Sequence, residues 1–363
     1  MKIAGVASAV PEHRYGQNAI TTTLQELWDG KLRSPELLER LHARTGVESR
    51  YLAFPLRHYG RFSSWGETNA AWLEVAQELG TRALDQALHS AGMSRRELNA
   101  IFVVSITGIA SPSLDARLIN RMSLRPDIKR TPIFGLGCAG GAIGLSRAAD
   151  YTLAYPRQSA ALLAVEVCSL TLQREDLSTA NLISTGLFGD GAAAVIVSGA
   201  QMEPCHEAMD RCVPHFSGPK ILGCASIFYP DSEEIMGWDI SQDGFKILLS
   251  PQLPEFIRSN LAGDVDAFLG KYELRRADIG VWVIHTGGPK VLNAIQDTLG
   301  LHDRDIERSW DCLSRFGNLS SASVLLVLED IVKNHQPEPG TLGVLLAMGP
   351  GFCSELILLQ WQI

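Results

Sequence analysis

The chain has 363 residues, 46% hydrophobic and 20% charged, enough apolar material for about two domain-sized cores and too much for a disordered or collagen-like chain. Its formal net charge of −8 provides no overall basic field to hold nucleic acid or an anionic membrane, so small-molecule partners are favoured. The opening stretch, MKIAGVASAVPEHRYG, turns polar after about ten residues, too few for a signal peptide, and no later run approaches the ~18 apolar residues of a membrane span. A cytoplasmic location is expected. The seven cysteines, at 138, 168, 205, 212, 224, 312 and 353, make no disulfide framework and are read as reduced thiols.

In chain order, residues 70–93 place Trp72, Val75, Leu79, Ala83 and Ala87 on one helical stripe, and LNAIFVVSIT after them reads as a strand. After GLGCAGG a helix is expected to run to Tyr155, where Pro156 stops it. The later runs AALLAVEV, AAAVIVS, IGVWVIH, TLGVLLAMG and ELILLQW are continuously apolar, as strands covered on both faces are. Sheets buried between helices follow, an α/β class. FGDGAAAVIVSG and MGPGFCSELILLQW echo one another, which suggests two related halves meeting in the polar segment from Gly199 to Lys220, drawn as 1–205 and 206–363. Within that segment Cys205, His206, Cys212 and His215 fall close together, but their spacing fits no zinc pattern and no metal is expected.

The stretch GLGCAGG admits two readings. Gly135, Gly137 and Gly140 spell G-x-G-x-x-G, the turn that cradles a dinucleotide pyrophosphate, and Glu166 near the end of the following strand suits a ribose. Against this, the motif falls late in the chain and seats Cys138 at a helix start. There the helix dipole lowers a thiol pKa, and small neighbours leave room for a substrate. Cys138 alone could equally be a small buried hydrophobe. Two further signatures follow it. VWVIHTGGPKVL puts His285 at a strand end before glycines, and SRFGNLSSAS puts Asn318 before two serines able to cap the helix SASVLLVLEDIV.

Together GCAGG, LFGDGAAAVIV, IHTGGPKVL, FGNLSSAS and GPGF resemble the type III polyketide synthases, the chalcone synthase-like branch of the thiolase superfamily, across about the whole chain. MGWDISQDGFKILLS and GPGFCSELILLQW look closer to bacterial alkylpyrone and alkylresorcinol synthases than to plant enzymes. The resemblance implies a five-layered αβαβα thiolase fold and a homodimer. It implies acyl-CoA and malonyl-CoA as substrates, with no metal or redox cofactor. Cys138 would accept the acyl chain, with His285 and Asn318 completing a triad, and repeated decarboxylative condensation onto a fatty starter would end in cyclisation.

The same resemblance makes Phe188 and Phe245 an aromatic gate, and it places Cys168, Thr171 and Met236 on the cavity. Arg40, Arg44 and Arg50 then stand near CoA phosphates. HTGGPK in place of HPGGP, and Ser111 where plant enzymes carry a methionine, weaken any plant-like starter preference, and Cys353 is read as structural. Two rivals remain at this point: a single-round ketoacyl-carrier-protein synthase of the initiating type, and a nicotinamide-dependent oxidoreductase using Gly135–Gly140.

Overall fold

The computed structural model describes residues 1–32, 34–202 and 218–362. The Cys205–His215 cluster and the 205/206 boundary lie outside the described residues. The first part of the chain forms β1 (Lys2–Ala9), β2 (His13–Gly16), α1 (Gln17–Leu27), α2 (Pro35–Ala43), β3 (Ser49–Leu52) and α3 (Trp65–Ser90). It continues with β4 (Ala100–Val104), α4 (Leu114–Met122), β5 (Lys129–Ile133), α5 (Gly140–Ala154), β6 (Ser159–Val167), α6 (Thr179–Leu187) and β7 (Asp190–Ser198). The second part forms β8 (Lys220–Phe228), β9 (Met236–Ser241), β10 (Gly244–Leu249), α7 (Leu253–Gly270) and β11 (Val281–Ile284). It ends with α8 (Pro289–Leu299), α9 (Asp303–Phe316), α10 (Ser323–Asp330), β12 (Leu342–Gly349) and β13 (Cys353–Gln360).

Nine strands run in the order β11-β12-β13-β8-β1-β7-β6-β4-β5, and the two halves of this sheet join where β1 meets β8 at the single pair Lys2 and Lys220. Because the joint is narrow, the halves can lie as two layers with helices between them. One cluster of buried side chains does fill that space: Ala142, Leu145 and Ala149 of α5 and Val324, Leu325 and Leu328 of α10, against Leu162, Val195, Leu345 and Ile357 of the strands. Outside the first half lie α3 and α4 with Trp72, Leu79 and Leu118, and outside the second lie α7, α8 and α9 with Leu261, Leu292 and Ile306. The result is the five-layered αβαβα arrangement expected from sequence.

Burial on both faces explains why β6 and β7 read as unbroken apolar runs, since every residue of each is buried. α3 starts five residues before the expected stripe. Ser64 accepts a hydrogen bond from Glu67 N at 3.3 Å, and Glu67 in turn accepts from Ser63 N at 2.8 Å, so the cap sets the start. α5 ends at Ala154 with Tyr155 as its cap, as expected.

Candidate active site

Cys138 lies in a single 3-10 turn, Gly137–Ala139, that feeds directly into α5. Gly137 has φ +45°, and a Cβ there would stand 2.7 Å from Pro350 Cδ, so the turn both needs and hides its glycine. At Gly141 a Cβ would overlap the backbone oxygen of Ser321. The start of α5 is thus closed by the turn before α10, and the space a pyrophosphate needs is filled by protein. The G-x-G-x-x-G pattern serves close packing around a cysteine.

Asn318 follows Gly317, which ends α9 with φ +72°. Its backbone N–H donates to Leu187 O at 2.9 Å, its carbonyl accepts from Gly189 N at 3.0 Å, and its Oδ1 accepts from Ser320 N at 2.7 Å. That last bond fixes which end of the amide is the acceptor. The NH2 is left for another partner, and the Asn318 side chain lowers the Cys138 thiol against the rise that burial causes. Ser320, held at φ +47°, brings its hydroxyl to 3.8 Å from Cys138 Sγ. Neither expected capping serine caps α10 with its side chain: Ser320 faces the thiol, and Ser321 donates to Glu166 Oε1.

His285 directly follows β11, and its N–H donates to Leu346 O of the parallel strand β12 at 3.0 Å. β12 ends at Gly349, where a Cβ would lie 2.6 Å from Ala139 N. The strand end that carries His285 and the turn that carries Cys138 therefore share one edge of the sheet. Both imidazole nitrogens are buried without a partner, the condition of a group kept for a ligand. Burial holds His285 down to about 3 and pushes the Cys138 thiol up to about 12, the latter eased by Ser320 and raised further by Glu166.

From sequence, Glu166 is expected only as a ribose partner in the dinucleotide alternative. It is fully buried, accepts from Ile106 N at 3.1 Å and Thr107 Oγ1 at 2.9 Å, and is pushed up to about 7 by burial. A lone acid in the apolar run AALLAVEV was its signal, since an acid there must have buried partners.

A cavity of about 310 Å³ is lined by Phe188, Phe245, Cys168, Thr171, Trp238 and Tyr59, among others; Cys138, His285 and Asn318 are not on its wall, and the link to them is Phe188, whose backbone pairs with Asn318. Four expected positions meet there: both phenylalanines, Cys168 and Thr171. Met236 does not line it and packs instead against the outer cluster of the second half, while Trp238, two residues on, takes the cavity face. Arg40 and Arg44 are exposed on and just after α2, where they can meet an anion. Arg50 differs from them: it is 2% exposed, and its guanidinium donates to Thr185 O at 2.8 Å, to Gln17 Oε1 at 3.0 Å and to Phe188 O. Those carbonyls turn it inward, so Arg50 lines the cavity and leaves the surface to the other two. Among the described residues no cluster of histidine, cysteine and carboxylate side chains could hold a metal, and no helix is long and apolar enough to cross a membrane.

A five-layered fold with a cysteine at the start of one central helix and an asparagine at the start of the other defines a condensing enzyme of the thiolase type. Residues 5–201 match the family description "Chalcone and stilbene synthases, N-terminal domain" and residues 220–361 match its C-terminal counterpart. The chain is 46% identical to 1,3,6,8-tetrahydroxynaphthalene synthase of Streptomyces peucetius subsp. caesius, across 99% of this chain and 93% of that one. It is 33% identical to 3,5-dihydroxyphenylacetyl-CoA synthase of Amycolatopsis orientalis, across 99% and 93%. Among solved structures, tetrahydroxynaphthalene synthase from Streptomyces coelicolor A3(2) superimposes with a TM-score of 0.91 at 28% identity over all of both chains. PKS-I of the brown alga Ectocarpus siliculosus gives 0.89 at 29%, over 99% and 97%. The chain belongs to the chalcone and stilbene synthase family. It is a type III polyketide synthase, a condensing acyltransferase.

Proposed function

We propose that this synthase builds its product from malonyl-CoA units alone and closes the chain into a polyhydroxylated aromatic of the tetrahydroxynaphthalene type. The cavity carries this reading. At about 310 Å³ it lies at the lower end for small-molecule sites, and its largely apolar wall carries the hydroxyl oxygens of Tyr59, Ser169, Thr171, Ser184 and Thr185, whose lone pairs can accept from enol or phenol hydroxyls, beside Arg50 with one unpaired donor. A long alkyl chain would leave the buried Arg50 Nε–H without a partner, so the fatty starter and alkylpyrone or alkylresorcinol product expected from sequence suit it less well. The Streptomyces peucetius relative is named for an aromatic product of this kind.

Cys138, His285 and Asn318 take the roles the resemblance implies. Each burial shift is the cost of a lone charge. Passing the Cys138 proton to His285 creates both charges together, and their attraction offsets part of that cost. The thiolate attacks the starter thioester, the bond from carbon to CoA sulfur breaks, and the departing thiolate recovers the proton from His285. A second malonyl thioester then loses CO2. The electron pair remains as an enolate whose oxygen takes hydrogen bonds from the imidazole and the Asn318 NH2. The enolate carbon attacks the Cys138 thioester, freeing the thiolate and lengthening the chain by two carbons.

Mass spectrometry of products from malonyl-CoA alone, and with acyl-CoA starters of two to eighteen carbons, tests the reading. Malonyl-CoA alone should give one aromatic product that Cys138→Ala does not form. A strict requirement for an added starter, or a single extension as in the carrier-protein rival, would overturn it.

A further inference from the structure

Three hydroxyl and carboxyl groups that the condensation step does not use form a chain on the cavity wall. Asp190, at the start of β7, is 1% exposed. Its Oδ1 accepts from Ser169 N at 2.8 Å, and its Oδ2 accepts from Ala53 N at 2.7 Å and from the Ser169 hydroxyl. Ser169 has one proton and gives it to Asp190, so in the Tyr59–Ser169 bond of 2.6 Å the phenol must be the donor. Tyr59 oxygen also accepts from Phe54 N at 3.2 Å, which leaves it one lone pair. Tyr59 and Ser169 both line the 310 Å³ cavity and the larger polar cavity beside it, so the chain ends where the two meet. Next to it, Arg50 on β3 lines the same cavity with a buried Nε–H that has no partner.

Ring closure of a poly-β-ketone can occur through oxygen or through carbon. Closure through an enol oxygen gives a lactone. Closure through carbon gives a carbocycle, and it requires that a methylene proton be removed while the chain is held in place. We propose that Tyr59, Ser169 and Asp190 form a proton relay that removes this methylene proton and so directs the bound chain to carbocyclic closure. The inference rests on the aromatic product proposed above.

In the step, the methylene proton passes to the Tyr59 oxygen, the phenol proton to Ser169, and the Ser169 proton to Asp190. The electron pair left on carbon forms a new bond to a carbonyl carbon of the same chain. If that carbonyl is the Cys138 thioester, the bond to sulfur breaks and thiolate leaves. If it is a ketone, its oxygen takes the proton back along the relay and departs as water when the ring aromatises. Arg50, on the same cavity wall, places a cation near the developing enolate charge. The charged and titratable neighbours of Asp190 are Arg50, Tyr59 and Cys168, and burial pushes its carboxyl up to about 6. The carboxylate form accepts the proton, so carbocyclic closure should fade as pH falls below that value.

The test is the ratio of carbocyclic to lactone product per CO2 released, in wild type, Tyr59→Phe, Ser169→Ala and Ser169→Thr, from pH 5 to 8. Taking the ratio cancels any general slowing of extension. The expected result is a ratio at least fivefold lower in Tyr59→Phe and Ser169→Ala, with the fall below about pH 6 seen in wild type absent from Ser169→Ala and restored in Ser169→Thr. Ratios in both variants equal to wild type would overturn the relay while leaving the aromatic reading intact. A wild type that releases only lactones would overturn both. Should Tyr59→Phe fail to fold, Ser169→Ala, which removes one oxygen from a half-buried side chain, decides alone.

Discussion

Glu166 shows how one buried carboxyl couples the site to the stability of the fold. A free glutamate titrates near 4.5, whereas Glu166, wholly desolvated between Thr107, Ile106 and Ser321, titrates near 7. Below pH 4.5 both folded and unfolded chains carry the proton. Between 4.5 and 7 the unfolded chain loses it first, so the group's contribution to stability declines with rising pH and is flat above 7. Glu166→Gln has no such proton, so urea midpoints of wild type minus variant should be higher at pH 5 than at pH 8, and an equal difference at both would contradict the shift. At this scale Cys138, His285 and Asn318 stood out in the sequence, because each lies in a glycine-bearing stretch at the end or start of a strand or helix. The sequence misdirected on Arg50. A cationic side chain near two exposed arginines looks like a third, and only the tertiary fold, by setting Phe188 O, Thr185 O and Gln17 around it, makes it an inward group.

Between elements, the contact of α5 with the turn before α10 decides whether the two halves of the site keep their spacing. Replacing glycine by alanine inside a helix ordinarily gains up to ~1 kcal/mol, but overpacking a closed contact costs about 1–3 kcal/mol. At Gly141 the overlapped atom is the backbone oxygen of Ser321, which has no rotamer to escape into. The second effect therefore wins. Gly141→Ala should lower the urea midpoint and cut condensation more than tenfold by displacing Ser320 and Asn318 from Cys138. Gly263→Ala, on an exposed turn of α7 with nothing within 4 Å, should raise the midpoint and leave activity alone. A Gly141→Ala enzyme as stable and active as wild type would refute the argument. The same elements show why some were legible and others not. Strands covered on both faces, β6, β7, β12 and β13, read directly as apolar runs. β5 (KRTPI) and β8 were missed because exposed residues interrupt them, which removes the signal that burial writes into a sequence.

For the molecule as a whole, the two-halved plan was visible as a faint echo, and its physical basis is that each half contributes one buried helix to the shared middle layer. What sequence alone did not locate is where a second copy would sit. β5 ends the nine-stranded sheet, paired among the described residues only with β4, and four of its five residues are exposed. Large apolar side chains stand near that edge: Phe134 at 48% exposure, and Leu153 and Tyr155 at 67% and 43% near the end of α5. Lys129 of β5 lies 3.7 Å from the Tyr155 ring centre, so strand and helix form one surface. A bare strand edge beside exposed apolar groups is a surface that soluble proteins cover. The homodimer implied by the family resemblance should use it. Leu153→Glu adds a carboxylate that the free chain solvates at no cost but a closed interface would have to bury, at several kcal/mol for each copy. With each 1.4 kcal/mol worth tenfold in affinity, the expected outcome is that wild type sediments as a dimer and the variant, at the same concentration, as a monomer. Its urea midpoint, measured at a dilution where wild type has also dissociated, should stay close to wild type, because Leu153 is two-thirds exposed within its own copy. A variant that keeps the wild-type mass would place the interface elsewhere on the molecule.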